Sequence, residues 1–321
     1  MSMRVGAIDC GTNSIRLLIA DVEPASGALR DVVRRMEVVR LGRGVDRTGR
    51  IDPERMAAAV AMARQYAAQC REHAVAAVRF VATSASRDAE NAADFISGVE
   101  DAFASAGFGV SPEVISGAEE ADLSFRGATG DLRAAAIPGP YLVVDIGGGS
   151  TEFVRGEAHV EAALSTDVGC VRLTERHLHS DPPTAAEIAA ARADVEAAID
   201  SALAVVPFAG VQALVGLAGT VTTVTAHALG LPEYLADRIH LTALPGNEIR
   251  AAGGDLLTMT RADRAALPFM HPGRVDVIGG GALVWSAIVE RIQAVAGDVP
   301  VVTSEHDILD GIALSAAGGS H

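Results

Sequence analysis

The chain is short of aromatic residues, of cysteine, of positive charge and of long unbroken apolar runs, and each shortage excludes something. Aromatics make up 4% of the 321 residues, which leaves little with which to stack nucleobases. Against 41 acidic side chains stand 26 basic ones, and a formal net charge of −15 disfavours binding to nucleic acid or anionic membrane. Cys10, Cys70 and Cys170 are odd in number and far apart, which argues against a disulfide framework or a zinc site. They predict small buried thiols in a reducing compartment. The longest charge-free run, Ser201 to Pro232, is broken by Pro207, Gly210, Gly216, Gly219 and four threonines, so it predicts strand, turn and helix instead of a membrane span. Asp9 follows Met1 too soon to leave room for the apolar stretch of a signal peptide. The expectation is a cytoplasmic protein with neither nucleic acid nor membrane as partner.

What is present is ordinary globular material. At about 150 residues per domain, a chain of 321 residues with 49% apolar content accommodates two domains. Strand-like runs occur at residues 4–8, 15–22, 77–82, 141–144, 151–154 and 213–217. Helices lie between them. Asp52 and Pro53 mark the start of one. Thr184 with Glu187, and Ser304 with Asp307, have capping-box spacing at the start of two more. The fold class is α/β, with domains predicted at 1–132 and 133–303 and a C-terminal helix over 304–318 packing back on the first.

An internal repeat carries the chemistry. In VGAIDCGTNSIRLL and LVVDIGGGSTEFV, Asp9 matches Asp145, Gly11 matches Gly147, Ser14 matches Ser150 and Arg16 matches Glu152, each pair 136 positions apart. A dinucleotide fold or P-loop needs a helix directly after the glycines. Here β-formers follow, so both units read as β-hairpins. In such a turn, consecutive backbone N–H groups form an anion-binding nest that side chains would obstruct. The phosphate-binding candidates are therefore Gly11, Thr12, Asn13 and Ser14 in one turn, and Gly147, Gly148, Gly149, Ser150 and Thr151 in the other. A carboxylate at the end of each preceding strand would repel phosphate unless a cation lay between them. Asp9 and Asp145, with Glu152, are the candidate ligands for Mg2+ or another divalent cation.

Three further stretches stand out. In ISGAEEADLSFRGA, Ser116 and Glu119 have capping-box spacing, which gives Glu119 a structural task and leaves Glu120, about 100° around the helix, unused by the cap. In FVATSASRDAENAADF, Ser86 reads as an N-cap with Arg87 in the first turn, where the helix dipole disfavours a cation. Such a broken rule often marks function. RLGRGVDRTGR concentrates Arg40, Arg43, Arg47 and Arg50 in a glycine-rich loop, as a solvated surface or a phosphate-steering patch. Gly219 and Thr220, between a strand and a helix, either present N–H donors to a further phosphate or form a plain helix N-terminus, and Gly279 to Gly281 interrupt what reads as a helix. His177 and His179 lack partners at metal-ligand spacing.

These motifs, together with LSTDVGCVRLTERHL, GLAGTVTT and PGRVDVIGGGALVW, occur in an order that resembles the exopolyphosphatase and guanosine pentaphosphate phosphohydrolase family over nearly the whole chain. The resemblance implies the actin-like superfold: two ribonuclease-H-like domains with an interdomain active-site cleft. It implies magnesium-dependent release of terminal phosphate from polyphosphate or of the γ-phosphate from guanosine pentaphosphate, and a homodimer. It places the catalytic glutamate at Glu120 and a phosphate-binding arginine at Arg87, and it matches Arg274 to a cleft-facing position, for which a salt bridge to Asp276 is the alternative. Arg16, at a position that varies in the family, is added as a phosphate ligand. Longer members carry a further C-terminal helical region, so the chain resembles the short form and short chains are the expected substrate. A kinase or ATPase of the same superfold would need an adenosine pocket for which no motif is present. A non-catalytic sensor of the same phosphates would bind without turnover.

Overall fold

A computed structural model describes residues 2–24 and 27–318, arranged as two compact units. The first unit runs from the N-terminus to Gly127 and takes back the chain from Ile308 onward; the second is Ala128–Asp307.

The first unit contains β1 (Met3–Cys10), β2 (Ser14–Glu23), β3 (Ala28–Val38), α1 (Val45–Thr48), α2 (Pro53–Glu72), β4 (Ala77–Ala82), α3 (Ser84–Arg87), α4 (Ala92–Ala104) and β5 (Glu113–Val114). Helix α5 (Gly117–Ala134) begins in it and ends in the second unit. The second unit continues with β6 (Tyr141–Ile146), β7 (Thr151–Gly156), β8 (Val160–Thr166), α6 (Cys170–His177), α7 (Ala185–Leu203), β9 (Ala213–Leu217), α8 (Ala218–Ala228), α9 (Ala236–Ile239), β10 (Ala243–Leu244), α10 (Gly246–Thr258), α11 (Arg261–Ala265), a 3-10 turn at Pro272–Arg274, α12 (Ile278–Ala296) and β11 (Val301–Thr303). Helix α13 (Ile308–Ala317) closes the described chain.

The two sheets share one plan. Strand order is β3-β2-β1-β4-β5 in the first and β10-β11-β9-β6-β7-β8 in the second. In each, three antiparallel strands joined in sequence are followed by a parallel neighbour, β4 beside β1 and β9 beside β6. The duplication read from four matched residues thus extends to whole sheets.

Alternation explains the apolar runs of the first sheet. Ile8, Cys10, Ile15, Leu17 and Ile19 enter one core with α2 and α4, whereas Val5, Ala7, Leu18, Ala20 and Val22 enter another with Ile308, Leu309, Ile312 and Ala313 of α13. Successive strand residues point to opposite faces, so a sheet covered on both sides reads as continuously apolar. The few aromatics concentrate inside: Phe80 and Phe103 meet edge to face at 5.9 Å. Trp285 is fully buried and lies where a Cβ on Gly216 would sit, 2.7 Å away.

Of the helix starts predicted at Asp52, Thr184 and Ser304, the first two follow their caps. Asp52 accepts the Glu54 and Arg55 N–H groups at 2.9 and 3.2 Å. The Thr184–Glu187 capping box is complete, with bonds of 3.3 and 2.7 Å. The Ser304–Asp307 box is not formed. Ser304 instead accepts the His306 N–H at 3.0 Å and donates to the His306 carbonyl at 2.8 Å, so α13 starts only at Ile308. The charge-free run from Ser201 resolves into the end of α7, then β9 and α8. Among the described residues, no helix is long and apolar enough to cross a membrane.

Candidate active site

Both glycine turns close in the same way. Gly11 N–H donates to the Ser14 carbonyl and Gly147 N–H to that of Ser150, each at 3.0 Å. The flanking pairs correspond as well, Asp9 opposite Arg16 and Asp145 opposite Glu152. In each turn the carbonyls are tied down from outside. Thr12 O accepts from Gly42 N–H, and Asn13 O from Val39 and Arg40 N–H, at 2.8 to 3.1 Å. In the second turn Gly147 O accepts from Cys170 N–H, and Gly148 O from Val171 and Arg172 N–H, at 2.9 to 3.1 Å. The backbone N–H groups of Thr12, Asn13, Gly148 and Gly149 have no partner among the described residues. In both turns the carbonyls are thus occupied, while these N–H groups are left for another acceptor.

The second turn also shows what comes so close to its glycines. A Cβ on Gly169, just before α6, would stand 2.6 Å from the backbone of Gly148. The start of α6 therefore rests on the turn, backbone against backbone. Thr151, expected as a phosphate donor, uses its hydroxyl otherwise: it donates to the Val168 carbonyl at 2.6 Å and is fully buried. Ser150 is buried at the turn itself.

The strand-end carboxylates differ between units. Arg16 reaches back across the β1–β2 ladder to Asp9, with Nη2 at 2.6 Å and Nε at 2.9 Å from Oδ2. In the second unit the corresponding pair is Asp145 and Glu152, 6% and 1% exposed, and Glu152 accepts the Ser165 hydroxyl at 2.7 Å. Direct cross-strand partners share one face of the sheet. Two buried carboxylates on one face form an oxygen donor set that suits a hard divalent cation, whereas Asp9 is met by Arg16.

Glu120 and Arg87 meet in the first unit. Arg87 Nη1 lies 2.9 Å from Glu120 Oε2 and also donates to the Ile115 carbonyl at 2.9 Å. Glu120 is 8% exposed. Its neighbour Glu119 faces elsewhere: its N–H donates to Ser116 Oγ at 3.2 Å and its carboxylate pairs with Arg79 at 2.6 Å. Ser86 is not the N-cap of a long helix. It lies inside the four-residue α3, and α4 starts at Ala92. Arg87 is therefore the last residue of α3, at the end where a cation suits the dipole, and the broken rule disappears. Thr12 and Ser84, with hydroxyls 2.8 Å apart, tie the first turn to α3 and so to Arg87. No sequence motif pointed to Ser84.

In the second unit Arg274 lies against the start of α8. Its guanidinium would be 2.4 Å from a Cβ on Gly219, and its Nη1 donates to Thr223 Oγ1 at 3.2 Å. Asp276 faces Arg261 at 3.8 Å. Ala218, first in α8, has φ of 66°, a left-handed conformation that costs a residue with a Cβ of order 1 kcal/mol or more. Gly279 to Gly281 do not interrupt a helix; they open α12. A Cβ on Gly280 would sit 2.5 Å from Thr174 Oγ1 of α6, and one on Gly281 2.4 Å from Thr220 Oγ1 of α8. The glycine run lets three helix ends converge.

One cluster was invisible in the sequence. Asp131, His240 and His306 bring a carboxylate oxygen and two ring nitrogens within 4.8 Å of one another. His306 Nδ1 lies 2.5 Å from Asp131 Oδ2, and His240 Nε2 lies 3.6 Å from it. His240 Nδ1 accepts the Glu305 N–H at 3.2 Å, so the neutral ring carries its proton on Nε2, facing Asp131. The His306–Asp131 hydrogen bond holds the cluster together, with His240 at ion-pair distance from the same carboxylate oxygen. The His306 contact is the main cause holding the Asp131 carboxyl below its usual range.

Residues 18–316 match the model of the Ppx/GppA phosphatase family. Exopolyphosphatase 2 of Mycobacterium tuberculosis is 52% identical over 317 residues, covering 98% of this chain and 99% of that protein. A guanosine-5'-triphosphate,3'-diphosphate pyrophosphatase of Aeromonas salmonicida is 31% identical over 289 residues, covering 89% of this chain and 55% of its own length. The solved structure of the Aquifex aeolicus PPX-GPPA enzyme matches with a TM-score of 0.78 at 27% identity, over 98% of this chain and 99% of that one. Two sheets of one plan, duplicated glycine turns and a match along almost the full length lead to one conclusion: the chain belongs to the Ppx/GppA phosphatase family.

Proposed function

We propose that the protein is an exopolyphosphatase, releasing terminal orthophosphate from inorganic polyphosphate, with short chains as its substrates. The observation that carries this reading is the pair of hairpin turns whose carbonyls are bound and whose N–H groups are available, in an enzyme family of phosphatases. The name of the Mycobacterium tuberculosis relative supports polyphosphate as the substrate. That of the Aeromonas relative makes guanosine pentaphosphate the competing substrate.

Glu120 orients a water molecule and takes one of its protons as the water oxygen attacks the terminal phosphorus. The bond from that phosphorus to the bridging oxygen breaks, and the chain, shorter by one phosphate, leaves with the bridging oxygen. Arg87 holds the Glu120 carboxylate and contributes positive charge to the phosphoryl oxygens. Nest N–H groups at Gly11 to Ser14 and Gly147 to Ser150, with Arg16, Gly219, Thr220 and Arg274, bind the phosphates. Thr151 acts through its position in the turn, since its hydroxyl is bonded to Val168. Asp145 and Glu152 would hold magnesium, which when bound neutralises phosphate charge. The enzyme is a cytoplasmic homodimer in this reading; buried unpaired thiols support the compartment, and family resemblance supports the dimer.

Phosphate release from polyphosphate, guanosine pentaphosphate and ATP, with and without magnesium, tests the reading. Glu120→Gln should lower kcat by roughly 10²- to 10⁴-fold with an unchanged circular dichroism spectrum. Binding of these phosphates by wild type without release from any of them would replace the enzyme with a sensor.

A further inference from the structure

The arginine-rich loop after β3 encloses an open cavity of about 480 Å³, lined by Arg43, Arg47 and Arg50 together with Asp52, Asn91 and Asp94. We propose that this cavity is a distal subsite for the phosphate chain, binding phosphates upstream of the one released; the inference rests on polyphosphate being the substrate.

Three observations carry it. Arg43 and Arg47 are exposed, and neither guanidinium has an ion-pair or hydrogen-bond partner among the described residues. Arg50 pairs with Glu90 at 3.2 Å, both largely exposed, a contact that phosphate can displace at small cost. The loop is also held in shape at both ends. Gly42 and Arg40 donate to Thr12 O and Asn13 O of the first turn at 2.8 Å. At the far end Asn91 clasps the Ile51 backbone, accepting its N–H at 2.8 Å and donating to its carbonyl at 3.1 Å. A chain held by the first turn thus has the arginines on the adjoining segment. Of the two carboxylates in the lining, Asp52 accepts the N–H groups that start α2, and Asp94 is the opposing charge on the rim. Guanidinium forks match phosphate oxygens in pairs, which a bare positive patch does not require. A nucleoside would find little to stack on: the lining has no aromatic ring.

The test compares tripolyphosphate with a longer polyphosphate of defined length. In the double variant Arg43→Gln/Arg47→Gln, kcat/KM for the longer chain should fall roughly tenfold, mainly through KM. The ratio of longer chain to tripolyphosphate should fall with it, and Arg43→Lys/Arg47→Lys should recover part of the loss. An unchanged ratio overturns the subsite, as does an equal loss on both substrates. Binding of the longer chain to Glu120→Gln, with and without the two arginine changes, separates the two levels: equal affinity sinks the cavity, whereas wild type releasing nothing from any polyphosphate sinks the substrate reading beneath it.

Discussion

Glu119 and Glu120 are adjacent and differently employed, and the difference was partly legible. Capping-box spacing assigned Glu119 to Ser116, which its N–H confirms, but its carboxylate goes to Arg79, forty residues away. Glu120 turns inward to Arg87. Arg87 itself was singled out through a misplaced helix start at Ser86, because the chain spends Ser84–Arg87 on a separate four-residue helix before α4 begins at Ala92. The cysteines were readable from number and spacing alone. All three are buried and free. Burial pushes the Cys70 thiol up to about 12 and the Cys170 thiol up to about 11, and it raises Cys10 further. A thiol that stays protonated is a poor nucleophile. Maleimide at pH 7 should therefore label none of the three in the native protein and all three after urea unfolding; rapid native labelling would contradict the buried arrangement.

At the scale of elements, hairpins were legible because apolar strand and glycine turn lie next to each other in the sequence. Strands β3 and β8 were not. The former, ALRDVVRRMEV, is an edge strand with little full burial, so its pattern carries no clear apolar face. The contact of α6 with the second turn was hidden too, since nothing in VGCVRLTERHL says which backbone it touches. That contact is testable at Gly169, whose φ of −158° any residue can adopt, so the cost of a side chain there is steric. Gly169→Ala puts a Cβ 2.6 Å from Gly148 backbone and should destabilise by roughly 1–3 kcal/mol while deforming the turn. The expected outcome is a lower Tm together with reduced phosphate release; a variant with full activity and stability would mean that α6 does not support the turn.

For the whole molecule, a charge of −15 sets the frame: positive field must be local wherever phosphate binds. All 26 cations are arginine, a choice suited to forked oxygen recognition. The acid limit of stability follows from carboxylates whose folded pKa is depressed. Arg4 lowers Asp21, His306 lowers Asp131 and Arg192 lowers Glu290, in each case chiefly by hydrogen bonding. Glu187 is held at about 2, first by the Thr184 backbone N–H. A depressed carboxylate contributes stability that is fully present above its unfolded pKa, near 4, and lost as the pH falls through the folded value. Urea midpoints should be flat above about pH 5 and fall on acidification. Glu187→Gln should lower the midpoint at pH 7, with the gap to wild type closing as the pH approaches 2; a gap independent of pH would place the effect outside the cap.

The return of α13 has a consequence for synthesis. Its Ile308, Leu309, Ile312 and Ala313 complete a core begun by Val5, Ala7 and Leu18, and Gly311 allows the helix to lie on Leu123, whose carbonyl would be 2.0 Å from a Cβ there. The ribosome makes these two halves of one core about 300 residues apart, a separation of some 15–60 s at ordinary elongation rates. The second unit has its whole sequence before the first has its last helix. Until then, one face of the first sheet waits with its apolar residues uncovered, and the part of the protein translated first is the part finished last.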